Sequence, residues 1–241
     1  RRPALRPCGA RLCTASPSRT SLALRQLVSP ALPVGAFGYS EGLEVLFQAS
    51  VLCNAADIEH WLRAELQRGA VRLEAASLRL FVQDFARWCS TSDSVAHQSL
   101  VDLDRWLLSM RDAPELRAQQ SQMGMALIEL MAERGHPLPQ SLSLSWPAAW
   151  AWASYSLVIP QQEIVEGYLY GWVANQLSAA VRLVPLGPTS AQVLQLRLSP
   201  LIKRQAELLF NQNPRQLWSA GLGASMAQLA HAELYSRLFR S

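Results

Sequence analysis

The sequence predicts an all-α fold, a multi-helix bundle of roughly ten helices in a single domain. Three observations carry this. Apolar residues recur at spacings of three and four along most of the chain. No run of alternating apolar and polar residues reaches a useful strand length. Prolines, glycines and Asx residues mostly fall between the periodic segments, where they end helices. No internal repeat and no clear linker is visible.

The elements follow in order. Ser29 to Glu44 (S-P-A-L-P-V-G-A-F-G-Y-S-E-G-L-E) reads as a rigid loop fixed by Pro30, Pro33, Gly35 and Gly38, with Ser40 as the N-cap of a helix. Asp57 is a second N-cap, ahead of a face made by Ile58, Trp61, Leu62 and Leu66. Leu78, Phe81, Val82 and Phe85 continue the pattern. The segment from Val95 to Met110 repeats it through Leu103, Trp106, Leu107 and Met110. After Pro114 a longer, more polar helix runs from Leu116 to Met131, and residues 136–145 form a loop. Trp146-Pro147 opens a Trp-rich helix. Pro160 starts another, with Ile164, Val165, Leu169, Trp172, Val173, Leu177 and Val181 inward, ending near Pro185-Leu186-Gly187-Pro188. Ser199-Pro200 reads as an N-cap with proline at the first helical position, so the stretch after Thr189 is expected to be kinked or split there. Asn213-Pro214 opens a short segment, Gly221-Leu222-Gly223 breaks it, and a final amphipathic helix is expected from about Ala224 to Phe239.

Composition narrows the function. Half of the 241 residues are hydrophobic and 17% are charged, which suits a globular chain. The net charge of +4 comes from one end: six of the 22 basic residues lie among the first 25, before any acid, leaving 16 against 18 acidic residues, a net charge of −2. A nucleic-acid-binding body carries a basic patch, so nucleic acid is excluded. Residues 1–21 read as a disordered or extraneous extension, or as an organelle transit peptide, with the folded domain at residues 22–241. The charge-free stretch at residues 136–162 is cut by four prolines to about a dozen residues. That is too short for a membrane span of roughly 20, so no membrane association is expected. Cys8, Cys13, Cys53 and Cys89 lack metal or disulfide spacing, which suits reduced thiols and a cytoplasmic location.

Most catalytic chemistry is missing. The only lysine is Lys203, so there is no Gly-Lys-Ser/Thr phosphate loop for GTP or ATP. Gly38-Tyr39-Ser40-Glu41-Gly42 fits G-x-S-x-G, a nucleophile elbow, with Asp102 or Asp104 and then His231 following in chain order. That elbow needs a strand and a sheet, which the sequence does not offer, so the capping reading of Ser40 is preferred. A serine hydrolase on Ser40 and a generic helical scaffold stay as alternatives. His60, His97, His136 and His231 are scattered and do not converge as metal ligands. Asp102 and Asp104, two apart on a helix, point in different directions. Two aromatics, a leucine and two arginines crowd the end of the chain, from Tyr235 to Ser241, where interface residue types suggest docking.

Both ends of this pattern have a match. Leu27 to Phe37 and Gly42-Leu43-Glu44, with Tyr235-Ser236-Arg237-Leu238-Phe239-Arg240-Ser241, resemble the UreF family of urease accessory proteins. Arg117, Gln120 and Gly124 resemble that family's R-x-x-(S/Q)-x-x-x-G helix, and Ser178 to Gly187 its S-A-A-x-R-L-x-P-L-G segment. The resemblance covers Leu22 to Ser241 and implies an all-α, non-catalytic protein with no tightly bound cofactor. It implies a homodimer that joins UreD and the GTPase UreG in a complex inserting nickel into apo-urease. Nickel would be handled by the complex, and GTP would be bound by UreG, whose hydrolysis is regulated or coupled. Carried onto this sequence, Gly35, Tyr39, Ser40, Glu41 and Glu44 become candidates for the GTPase side. Tyr235, Arg237, Leu238, Phe239 and Arg240 become candidates for docking UreD. One departure stands out: the family often reads H-E-x-Q before the tail, whereas here His231-Ala232-Glu233-Leu234 displaces the acid by one residue. On this reading Glu44→Arg weakens UreG recruitment with little loss of thermal stability, and deleting Tyr235 to Ser241 uncouples UreD from an intact body.

Overall fold

A computed structural model describes residues 17–241, with side chains from residue 21 onward. The bundle has ten α-helices and, among the described residues, no strand. They are α1 (Pro17–Leu27), α2 (Leu43–Gln48), α3 (Ala55–Arg68), α4 (Val71–Thr91), α5 (Ser94–Ser109), α6 (Pro114–Glu133), α7 (Trp146–Ser156), α8 (Gln161–Leu183), α9 (Pro188–Phe210) and α10 (Leu222–Ala230). Most of the extension expected at residues 1–21 lies outside the described residues.

α4 is the axis of the bundle. It packs against α3, α5, α7, α8 and α9, and Leu78, Phe81 and Phe85 on it are fully buried. α7 is apolar around its whole circumference and is accordingly buried on nearly every side. Its indoles still find acceptors: Trp150 Nε1 donates to the Ile164 carbonyl at 3.2 Å, and Trp152 Nε1 to the His136 carbonyl at 3.1 Å. This is the charge-free stretch of the sequence. It is a core helix, and among the described residues no helix is long and apolar enough to cross a membrane.

Gly124 on α6 marks a close approach. A Cβ there would sit 2.1 Å from the Leu144 carbonyl oxygen, so only glycine lets the segment leading into α7 cross α6.

Three local expectations are corrected. α3 is capped by Asn54, whose Oδ1 accepts from the Ala56 and Asp57 amides. Asp57 reaches back to the Cys53 amide at 2.9 Å and serves as the helix's third residue, not its cap. α9 runs unbroken through Pro200. The proline withdraws one donor from the Leu196 carbonyl, but Leu196 is exposed to water, and Ser199 Oγ donates to the neighbouring Gln195 carbonyl at 3.0 Å. The last helix is shorter than its periodicity suggests. α10 stops at Ala230, a single 3-10 turn covers His231–Glu233, and the remaining residues run back across the molecule without regular structure.

Candidate partner-binding site

The two ends singled out by the sequence meet. The loop at residues 35–44 turns twice through left-handed backbone, at Gly35 (φ 74°) and at Glu41-Gly42 (φ 52° and 91°). Gly42 is required for a second reason. A Cβ there would come within 3.0 Å of the Gln228 amide nitrogen, where α10 crosses. α2 starts at Leu43 with Gly42 at its N-cap, so Ser40 is not the cap the sequence suggested. Ser40 Oγ receives the Glu44 amide only at 3.4 Å and donates to the main-chain oxygen of Ser241 at 2.7 Å.

The tail is bound by its own backbone. Glu44, almost wholly buried, accepts the Leu238 amide at 2.6 Å and the Phe239 amide at 3.0 Å, and lies 3.3 Å from His231 Nε2. The Arg240 amide donates to the Gly38 carbonyl at 2.9 Å, and the Ser40 amide to Ser241 at 2.8 Å. These bonds explain why the end of the tail is not helical: the Leu238, Phe239 and Arg240 amides, which a helix would use internally, are taken by groups roughly 200 residues away in sequence. Glu115 on α6 adds a second anchor, with His231 Nδ1 at 2.8 Å and Arg237 donating at 2.6 Å. Gln119 joins tail to loop, accepting from Ser241 Oγ at 2.6 Å and donating to Glu41 at 2.9 Å. Arg182 of α8 covers the buried Phe239 ring at 4.4 Å and donates to the Phe37 carbonyl at 2.8 Å.

The sequence-predicted residues therefore divide. Tyr39, Ser40, Glu44 and Phe239 are buried, and Tyr39 donates to Gln122 at 2.7 Å. The expectation that Glu44→Arg would leave stability intact is corrected, because the variant would put a guanidinium where two amides need an acceptor. Glu41 is held by Trp172 Nε1 at 3.1 Å as well as by Gln119. Tyr235, Arg237, Leu238 and Arg240 are exposed, with Tyr235 fully so and Leu238 at 53%. Sequence reasoning missed Phe37, 73% exposed beside them, and Glu115, Gln119 and His231, which hold the tail. Arg182 and Glu115 did lie within or beside the quoted motifs, and that was the available signal. The displaced acid, Glu233, is exposed and takes no part in the tail's anchorage.

Beneath the loop lies a buried charged network. Arg111 is paired with Glu74 through two donors, and Tyr168 OH donates to the other Glu74 oxygen at 2.7 Å. Burial alone would lower the Arg111 guanidinium, but the charges of Glu74 and Glu41 raise it further, so it is permanently cationic. Burial pushes the Glu41 carboxyl up, against the pull of Arg111. Burial likewise raises Tyr168, with Glu74 adding to it. Among the described residues no group of His, Cys, Asp and Glu side chains could hold a metal ion.

The sequence profile of the UreF family matches residues 52–199. A urease accessory protein UreF of Prochlorococcus marinus subsp. pastoris (strain CCMP1986) is 40% identical over 218 residues, covering 89% of this chain and 96% of that one. The counterpart from Prochlorococcus marinus (strain MIT 9215) is 38% identical over 227 residues, covering 93% and 100%. The protein of the same name from Thermosynechococcus vestitus is 37% identical over 229 residues, covering 91% and 97%. The chain belongs to the UreF family. It is thus a non-catalytic accessory protein of urease maturation. The family profile spans α3 to the middle of α9 and so covers the bundle, while loop and tail flank it.

Proposed function

We propose that this chain acts in the cytoplasm as a homodimeric subunit of a complex with UreD and the GTPase UreG, which inserts nickel into apo-urease as UreG hydrolyses GTP. UreG supplies the nucleotide chemistry, since this chain has no phosphate-binding lysine loop. The observation that carries the reading beyond the family is that loop and tail form one bonded unit through Glu44, Ser40 and Gln119. Tyr235, Arg237, Leu238 and Arg240 are the surface for UreD. Gly35, Tyr39, Ser40, Glu41 and Glu44 serve the GTPase side mainly by shaping the loop, with Phe37 and its neighbours as the presented surface. Arg and Tyr at such a rim suit interface anchors. Tail docking on UreD and loop presentation to UreG are then coupled, because each holds the other.

The test is co-expression of UreD, UreG and apo-urease with and without this chain, followed by urease nickel content. Nickel loading that depends on the chain supports the reading. Equal loading without it refutes the reading.

A further inference from the structure

One buried carboxylate makes no hydrogen bond or ion pair among the described residues and is steadied only by the more distant charges of Arg111 and Arg68. Glu44, Glu74, Asp84 and Asp104 are buried to a similar degree, and each is bonded: to tail amides, to Arg111 and Tyr168, to Ser99, and to Ser145. Glu65, in the last turn of α3, is 9% exposed and has no hydrogen bond or ion pair from its carboxylate to any described residue. Its oxygens lie over two glycines. Oε2 would be 2.2 Å from a Cβ at position 69, and Oε1 3.7 Å from one at position 221. Glycine at both positions leaves room for the carboxylate.

That carboxylate faces two spaces. Inward, a cavity of about 10 Å³, room for roughly one water, is lined by Glu41, Arg111, Trp172, Gln176 and Gln228. Outward lies a groove of about 440 Å³ between Val51-Leu52, the outer face of α3, and residues 220–224 at the start of α10. Its walls are Val51, Leu52, Trp61, Ala64, Ala220 and Ala224. The charges that face Glu65 are Arg68, Asp57 and His60 on its own helix and Arg111 and Glu41 across the inner cavity, while residues 220–224 carry none. Arg68 is exposed and forms no ion pair with it, although its charge, like that of Arg111, favours the ionised carboxylate. A long aliphatic stem against apolar walls, ending in a cation at the floor, fits this shape and charge. A single carboxylate does not fit a metal ion.

We propose that this groove receives an arginine or lysine side chain of the partner that engages the tail, with its cationic head paired to Glu65. The assignment rests on the accessory-complex reading above. The choice of partner follows from continuity. α10, which forms one wall, leads directly into the tail, and Gln48, three residues before Val51, donates to the tail carbonyl of Ser236 at 3.4 Å.

The experiment compares the full chain and Glu65→Gln in binding to purified UreD, with thermal unfolding of each chain alone at pH 8. The glutamine keeps the shape and removes a buried charge, so the variant should be as stable as the wild type or more so, yet bind UreD about tenfold or more weakly. A purely structural role would move both readouts together. Unchanged UreD affinity in Glu65→Gln overturns the proposal, as does weaker binding that simply tracks a loss of stability. A change in self-association alone would make a second copy the occupant and also overturn it. Failure of the wild-type chain to bind UreD would sink the accessory-complex reading together with this one, whereas normal wild-type binding with an indifferent Glu65→Gln sinks only the groove.

Discussion

Replacing Glu44 with alanine should release the tail while sparing the bundle. Its carboxylate serves the Leu238 and Phe239 amides at 2.6 and 3.0 Å and faces His231 at 3.3 Å. A buried donor left without an acceptor costs about 1–3 kcal/mol, and at least the Phe239 amide would be in that position. The tail can avoid the penalty by lifting into water, which forfeits the burial of the Phe239 ring, worth about 2 kcal/mol. It also forfeits the Arg240–Gly38 and Ser40–Ser241 bonds. Those terms are lost on opening in wild type and variant alike, so the difference between them is the loss of the two amide bonds to Glu44, about 3 kcal/mol, or roughly a hundredfold rise in the open population. Native-state hydrogen exchange reads this directly. Phe239 and Arg240 amides should exchange about a hundredfold faster in Glu44→Ala, while amides of α4 and α8 keep their wild-type protection. Wild-type exchange rates at Phe239 in the variant would refute the argument that Glu44 holds the tail.

Other expectations follow from single contacts. Gly124→Ala should destabilise the bundle by about 3 kcal/mol, because its Cβ would collide with the Leu144 carbonyl at 2.1 Å; a urea midpoint close to wild type would contradict this. Arg182→Ala should loosen tail docking by about 1–2 kcal/mol and raise Phe239 exchange without shifting the midpoint of the bundle; unchanged exchange would count against the Arg182–Phe239 contact. Burial raises Glu65 from 4.5 to about 7, so its contribution to stability is complete below about pH 4.5 and is lost as pH rises to 7. The difference in urea stability between wild type and Glu65→Gln should therefore turn against the wild type between pH 5 and 8, by up to about 3 kcal/mol; a difference independent of pH would show that Glu65 ionises normally.

The helices were legible because their faces are local. Ile58, Leu62 and Leu66, or Leu78, Phe81 and Phe85, announce a buried stripe by spacing alone, and these residues are buried. Long-range bonding was not legible. Tyr235 to Phe239 carries a helix-like pattern, but the Leu238 and Phe239 amides are claimed by Glu44, 194 and 195 positions away. Glu41 and Glu44 look like surface acids in a polar loop for the same reason, since Trp172, Gln119 and His231 reach them only in the fold. Pro200 suggested a break because sequence cannot show that the carbonyl it orphans faces water. Asn54 and Asp57 compete for one cap, and spacing alone favoured the wrong one. The site's location was readable from its motifs. That the two motifs close on each other was not.

If loop and tail act as one unit, recruitment of UreD and UreG by Glu44→Ala must show it. Purified wild-type chain and the variant would each be mixed with both partners, and the bound stoichiometries measured. The variant should lose UreD and UreG together, although the substitution touches neither exposed surface. Loss of one partner with full retention of the other would contradict it.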